Sequence, residues 1–63
     1  MKEYAVGDTV LLPAGTPIST GRLRADTVAT VDGVRKGYDG RMVYEVSWAE
    51  KGGRRNMYWR SKD

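Results

Sequence analysis

Cysteine and histidine are both missing from this 63-residue chain, which also has only two prolines and two tryptophans. Without cysteine there is neither a disulfide framework nor a thiolate metal site, so the usual staples of very small secreted domains are absent and a reducing, cytoplasmic setting is expected. Without histidine the chain lacks the side chain most used for proton transfer near neutral pH, and the commonest metal ligand. Ser19, Ser47 and Ser61 therefore have no imidazole to activate them, and we expect a protein that is not an enzyme. No cofactor or metal is expected. Asp32, Asp39, Glu45 and Glu50 lack the alternating oxygen ligands of a calcium loop, and Gly37 to Gly40 is too short, with no helix after it, to cradle a nucleotide phosphate. No basic-then-apolar leader opens the chain, and no apolar run approaches the roughly 18 residues of a membrane span, so a soluble protein without a membrane partner is expected.

What is present is positive charge, unevenly placed. Residues 1–40 balance Lys2, Arg22, Arg24, Arg35 and Lys36 against Glu3, Asp8, Asp26, Asp32 and Asp39, whereas residues 41–63 set six basic side chains against Glu45, Glu50 and Asp63. The net charge of +3 thus belongs to the last third. With a pI near 9.5, polyanions are the favoured partners. The length allows one domain, residues 1–63, and a chain this short buries only about 60% of the surface its unfolded form exposes.

Gly and Pro recur too often for an amphipathic helix to survive, while Val, Thr, Tyr and Trp fill the gaps, so the chain reads as all-β. A first strand is expected from Tyr4 to Leu12, with Tyr4, Val6, Val10 and Leu12 on one side and a bend or bulge at Gly7-Asp8. Pro13 to Ser19 reads as a long irregular loop, because its prolines cannot donate to a ladder. From Arg22 to Gly33, Leu23, Ala25, Thr27, Ala29 and Val31 share one face. A hairpin loop at Gly37-Tyr38-Asp39-Gly40, preferred over Asp32-Gly33, pairs Val31 with Val46, Ala29 with Trp48 and Gly33 with Tyr44, leaving Asp32 opposite Glu45. A second hairpin about Gly52-Gly53 pairs Trp48 with Met57 and Val46 with Trp59 inward, and Glu45 with Arg60, Ser47 with Tyr58 and Ala49 with Asn56 outward. Both hairpins make Tyr44, Val46 and Trp48 the inward set. About five strongly bent antiparallel strands around two tryptophans predict a small, closed or nearly closed barrel, with frayed ends at Met1 to Glu3 and Ser61 to Asp63.

The candidate contact surface is the outward face of the last hairpin: Arg54, Asn56, Tyr58 and Arg60, with Ser47 beside them, Lys51 and Arg55 at the turn and Arg41 at the far end. Arginine binds phosphate through a planar fork of donors, and an outward tyrosine offers a ring for base stacking. The plainer reading is a Glu45–Arg60 surface pair with turn arginines that keep an edge soluble. Arg22 and Arg24 form a second basic strip, which an ordinary solvated strand face also explains. Tyr38, next to Arg35 and Lys36, is either a contact residue or packing over the barrel rim. Trp48 and Trp59 have the parity of core residues rather than of an aromatic cage.

The run Val6-Gly7-Asp8-Thr9-Val10, the Pro/Gly loop, the long bent strand and two hairpinned strands ending in an aromatic resemble the SH3-like barrel superfamily in its Tudor and KOW style. That resemblance implies a binding module for nucleic acids, ribosomes, peptides or methylated side chains. Tyr44-Glu45-Val46 with Arg55-Asn56-Met57-Tyr58 is also similar in spacing to the strand pair of plasmid-encoded type II dihydrofolate reductases, which would imply reductase activity in an oligomeric pore; there Asn, Met and Arg stand in place of that family's Gln, Ile and Val. Our reading is a stand-alone SH3-like β-barrel that contacts nucleic acid, DNA foremost, mainly through phosphates. The alternatives are a phage- or plasmid-type adaptor or inhibitor that binds an acidic host protein surface and, third, the pore reductase. The start at Met1 with no appended domain fits a compact genome such as a phage's.

Overall fold

Alternation of apolar and polar residues, broken by glycine turns, yields six strands and no helix among residues 3–60, the part of the chain that the computed structural model describes. The strands are β1 (Thr9–Leu12), β2 (Pro17–Ile18), β3 (Gly21–Arg22), β4 (Thr27–Lys36), β5 (Met42–Glu50) and β6 (Gly53–Trp59). An antiparallel sheet runs in the order β1-β4-β5-β6, and β2 and β3 form a separate hairpin. The chain is therefore all-β, but the expected closure fails: β1 and β6 are not bonded to each other and remain the two edges of an open sheet. Since no helix occurs, none among the described residues is long and apolar enough to cross a membrane. Of the ends expected to fray, all but Glu3 lie outside the described residues.

The first strand begins at Thr9 rather than Tyr4, because Ala5–Asp8 forms a tight turn closed by the Asp8 N–H on the Ala5 carbonyl (3.0 Å). Gly7 occupies the third turn position at φ +97°, a conformation that favours glycine. Its N–H donates to the Val31 carbonyl while the Val31 N–H donates to the Asp8 carbonyl (both 2.8 Å), so two residues oppose one in a bulge, as the Gly7-Asp8 pair led us to expect. The same device recurs at Pro13–Thr16. There the Thr16 N–H closes on the Pro13 carbonyl, Gly15 has φ +88°, and residues 15 and 16 together oppose Leu23. The segment expected to be irregular is thus a turn followed by a two-stranded hairpin. Its prolines stand at the head of the turn and at the first residue of β2, where no ladder donor is required.

The strand expected over Arg22 to Gly33 is interrupted at 23–26 and then continues past Asp32-Gly33 to Lys36. Val31 pairs with Val46 as expected, but a bulge between Val31 and Gly33 shifts the register beyond it, so that Gly33 meets Glu45 and Val34 meets Tyr44. Asp32 is the extra residue, which removes the like-charge pairing of Asp32 with Glu45. In the last hairpin the sides are as expected but the pairing slips by two: Val46 meets Met57, Tyr44 meets Trp59, Trp48 meets Arg55, Ser47 meets Asn56 and Glu45 meets Tyr58. The turn centre moves from Gly52-Gly53 to Lys51-Gly52, closed by Glu50 and Gly53.

The core lies on one face of the sheet. Val10, Leu12, Ala29, Val31, Tyr44, Val46 and Trp48 are buried, and Tyr4, Ile18, Leu23, Met42, Met57 and Trp59 pack against them. Tyr4, Tyr44 and Trp59 form an aromatic trio with ring centroids 5.3–6.0 Å apart, and the Tyr44 hydroxyl accepts the Tyr4 backbone N–H at 3.1 Å. Val6 and Ala25, assigned inward by alternation, are exposed because each falls in a turn or break where strand parity no longer applies. Leu12 is fully buried, so Leu12→Ala should cost about 3 kcal/mol in urea unfolding. A loss under about 1 kcal/mol would show that β1 does not seal the core.

Candidate nucleic-acid interface

The face of the sheet turned away from the core is built by the same alternation that builds the core. Thr9, Thr30, Ser47 and Asn56 pair in sequence across all four strands, giving a neutral hydrogen-bonding row. Beside it the Arg54 guanidinium donates to the Ser47 hydroxyl at 2.8 Å and covers it, leaving Ser47 only 5% exposed. The remaining donors of that fork face solvent. On the other side of the row stands Tyr58, 61% exposed, with the Arg35 guanidinium 5.7 Å from its ring centroid. Such a cation–π pair holds two long side chains in one place without neutralising the charge.

Arg35 is the residue that alternation alone misses. An unbroken β4 would point it inward, but the bulge at Asp32 inverts the parity and turns Gly33 and Arg35 outward. Gly33 also makes room for Glu45, whose Oε2 would lie 3.2 Å from a Cβ at that position. The competing Asp32-Gly33 turn signal was the mark of this bulge.

Arg60 makes no pair with Glu45. It reaches the β4–β5 loop, where its Nη1 donates to Asp39 Oδ2 at 2.6 Å. Asp39 Oδ1 also accepts the Arg41 backbone N–H at 3.1 Å, so one carboxylate shapes the loop and anchors the end of β6. Tyr38, at the tip of that loop, is fully exposed, which overturns packing over a rim, and Arg41 is exposed three residues further on.

The other expected contact residues lie elsewhere. Arg55 shares the side of Trp48, and its Nε meets both Glu50 oxygens (2.8 and 3.1 Å) while its Nη1 donates to the Thr20 hydroxyl at 3.0 Å. Glu50 also accepts the Trp48 indole N–H at 3.1 Å, so Arg55 clasps the β2–β3 turn to the hairpin end rather than facing a ligand. Arg22 donates to the Gly15 carbonyl at 2.9 Å, Arg24 is exposed in the break before β4, and Lys51 is exposed in the β5–β6 turn. Among the described residues the ion pairs are Arg55–Glu50 and Arg60–Asp39, so Arg35 and Arg54 stand on the outer face without a carboxylate partner. No three acidic side chains among the described residues gather to hold a metal ion.

No protein-family model, curated protein or solved structure matches this chain. The face carries its own chemistry: two guanidinium groups outside any ion pair among the described residues, an exposed tyrosine with Glu45 as its cross-strand neighbour, and a row of neutral polar side chains beside them.

The Asp39 carboxyl is held below its ordinary value of 3.8, first by the Arg60 side chain and then by the Arg41 backbone N–H. Because the folded value is lowered, the contribution of this contact is complete above pH 3.8 and is lost as pH falls through the lower folded value. A carbon-detected NMR titration should place the Asp39 midpoint under 3.8, and a midpoint at or above 3.8 would mean that the Arg60 contact does not form in solution.

Proposed function

We propose that this chain is a small binding module of SH3-like kind that contacts nucleic acid, DNA foremost, through the outer face of β4, β5 and β6. The observation that carries the reading is the Arg35–Tyr58–Arg54 arrangement. Its two guanidinium groups keep their charge available to phosphates, and the ring between them offers a π-face to a base. Thr9, Thr30 and Asn56 supply neutral donors and acceptors suited to sugar and phosphate oxygens rather than to one base sequence, and Ser47 beneath Arg54 fixes that guanidinium. Tyr38 and Arg41 extend the surface at the loop tip. Selectivity is weak, because phosphate contacts position a strand without reading it. A second reading, an adaptor that docks on an acidic partner, draws on a different feature, the unbonded edge of β6.

Fluorescence anisotropy with duplex and single-stranded oligonucleotides tests the first reading. Two phosphate contacts predict an affinity loss of about tenfold between ~50 and ~200 mM salt. Arg35→Ala with Arg54→Ala should remove most of that salt dependence and weaken all sequences alike, whereas Tyr58→Ala should cost about 1–3 kcal/mol on single strands and less on duplex. Absence of binding to either oligonucleotide at low salt would refute it.

A further inference from the structure

The open seam between β1 and β6 is itself a recognition feature. In a hairpin closed by Glu50 and Gly53 about a two-residue loop, the closing pair exchanges hydrogen bonds, and the alternation of an antiparallel ladder then turns the N–H and C=O groups of Arg54, Asn56 and Tyr58 away from β5. None of these groups meets a backbone partner among the described residues. Across the seam the bonds of Val31 to the Gly7 N–H and the Asp8 carbonyl fix the alternation of β1 and turn the backbone of Thr9 and Leu11 toward the other edge. Both edges line one cleft of about 630 Å³, with Met57 to Arg60 on one wall and Leu11, the Pro13–Thr16 turn and Arg22 on the other. A second depression of about 410 Å³ follows the same edge past Asn56 to Arg54 and Ser19.

We propose that this seam takes an extended acidic segment of a partner protein, which adds as a strand to β6. The inference rests on the adaptor reading; the seam shares Arg54 and Tyr58 with the outer face but not Arg35 or Ser47. Charge selects the occupant. Among the described residues Lys51, Arg54 and Arg22 line the two depressions without an ion pair, and Glu50, the acid that lines the second, is already engaged by Arg55. A second copy of the chain is disfavoured, since pairing β6 with itself brings together two strands that each carry Arg54 and Arg55 and run on to Arg60, and like charges opposed across strands repel. Side chains select the pattern. Met57 and Trp59 are half-buried and present apolar surface on the core side of the edge, while Arg54 and Tyr58 lie on the other, so the complementary strand alternates apolar with acidic residues.

NMR titration of the 15N-labelled chain with an acetylated, amidated heptapeptide of alternating Glu and Val, beside its Lys-Val counterpart and two Glu-Val peptides N-methylated at either the Glu or the Val amides, tests this. The expected result is binding of the unmodified acidic peptide with shifts at the Arg54, Asn56 and Tyr58 amides, no binding of the basic peptide, and at least tenfold weaker binding of one methylated peptide. Asn56→Pro removes an N–H that β5 does not use, and should weaken the acidic peptide at least tenfold. The proposal is overturned if both methylated peptides bind as well as the parent, if the shifts fall on Arg35 and Ser47 instead, if β6 amides shift with protein concentration alone, or if the acidic peptide fails to bind at millimolar concentration. Since the methylation arm uses the unaltered chain, a poorly folded Asn56→Pro variant leaves the test intact.

Discussion

Burial of Tyr44, Val46 and Trp48 along one side of β5 is the constraint on which the other contacts depend. β5 is the strand bonded along its length to a long neighbour on each side, so its inward row sets which side of β4 and β6 can be apolar. Once those three side chains are inside, Val31 and Met57 must join them and Ser47, Glu45, Asn56 and Tyr58 must face out. The outer face is therefore the complement of the core rather than an independently assembled patch. Its chemistry can change only through positions the core does not use.

The Asp32 bulge adds a second rule. One extra residue exchanges the two faces of β4, so the half of the strand near β1 buries odd-numbered residues and the half near the loop turns Gly33 and Arg35 outward. Arg35 reaches Tyr58 only because of that exchange. The bulge also lets a three-residue loop tip come after Gly37, whose N–H donates to the Arg41 carbonyl at 2.7 Å. Loop, bulge and guanidinium placement are thus one coupled arrangement.

How much of this could be seen in the sequence depends on what each feature leaves behind in it. Parity was legible: the inward set Tyr44, Val46, Trp48, Met57 and Trp59, and the outward Arg54, Asn56 and Tyr58, follow from alternation. The exact pairing of β5 with β6 was not, because a slip of two residues moves no side chain to the other face and so leaves hydrophobicity unchanged. Only turn chemistry at Lys51-Gly52 separates the two registers. Closure was misjudged for a related reason, since backbone bonds between edge strands have no side-chain signature. The repeated turn at Ala5–Asp8 and Pro13–Thr16 shows through its glycines, yet two prolines suggested irregularity where a hairpin forms. Of the basic residues, Arg54 faces outward as alternation predicts, whereas Arg55 and Arg60 are held in ion pairs with Glu50 at the end of β5 and Asp39 in the β4–β5 loop, contacts that leave no mark in the alternation.

The two indoles occupy different environments: Trp48 is buried with its N–H on Glu50, while Trp59 is half-buried and lines the seam. The chain thereby contains a pair of intrinsic optical probes. Emission from the shielded ring follows global unfolding, and collisional quenching of the accessible one follows occupancy of the cleft, so the two events can be watched separately in an unlabelled molecule.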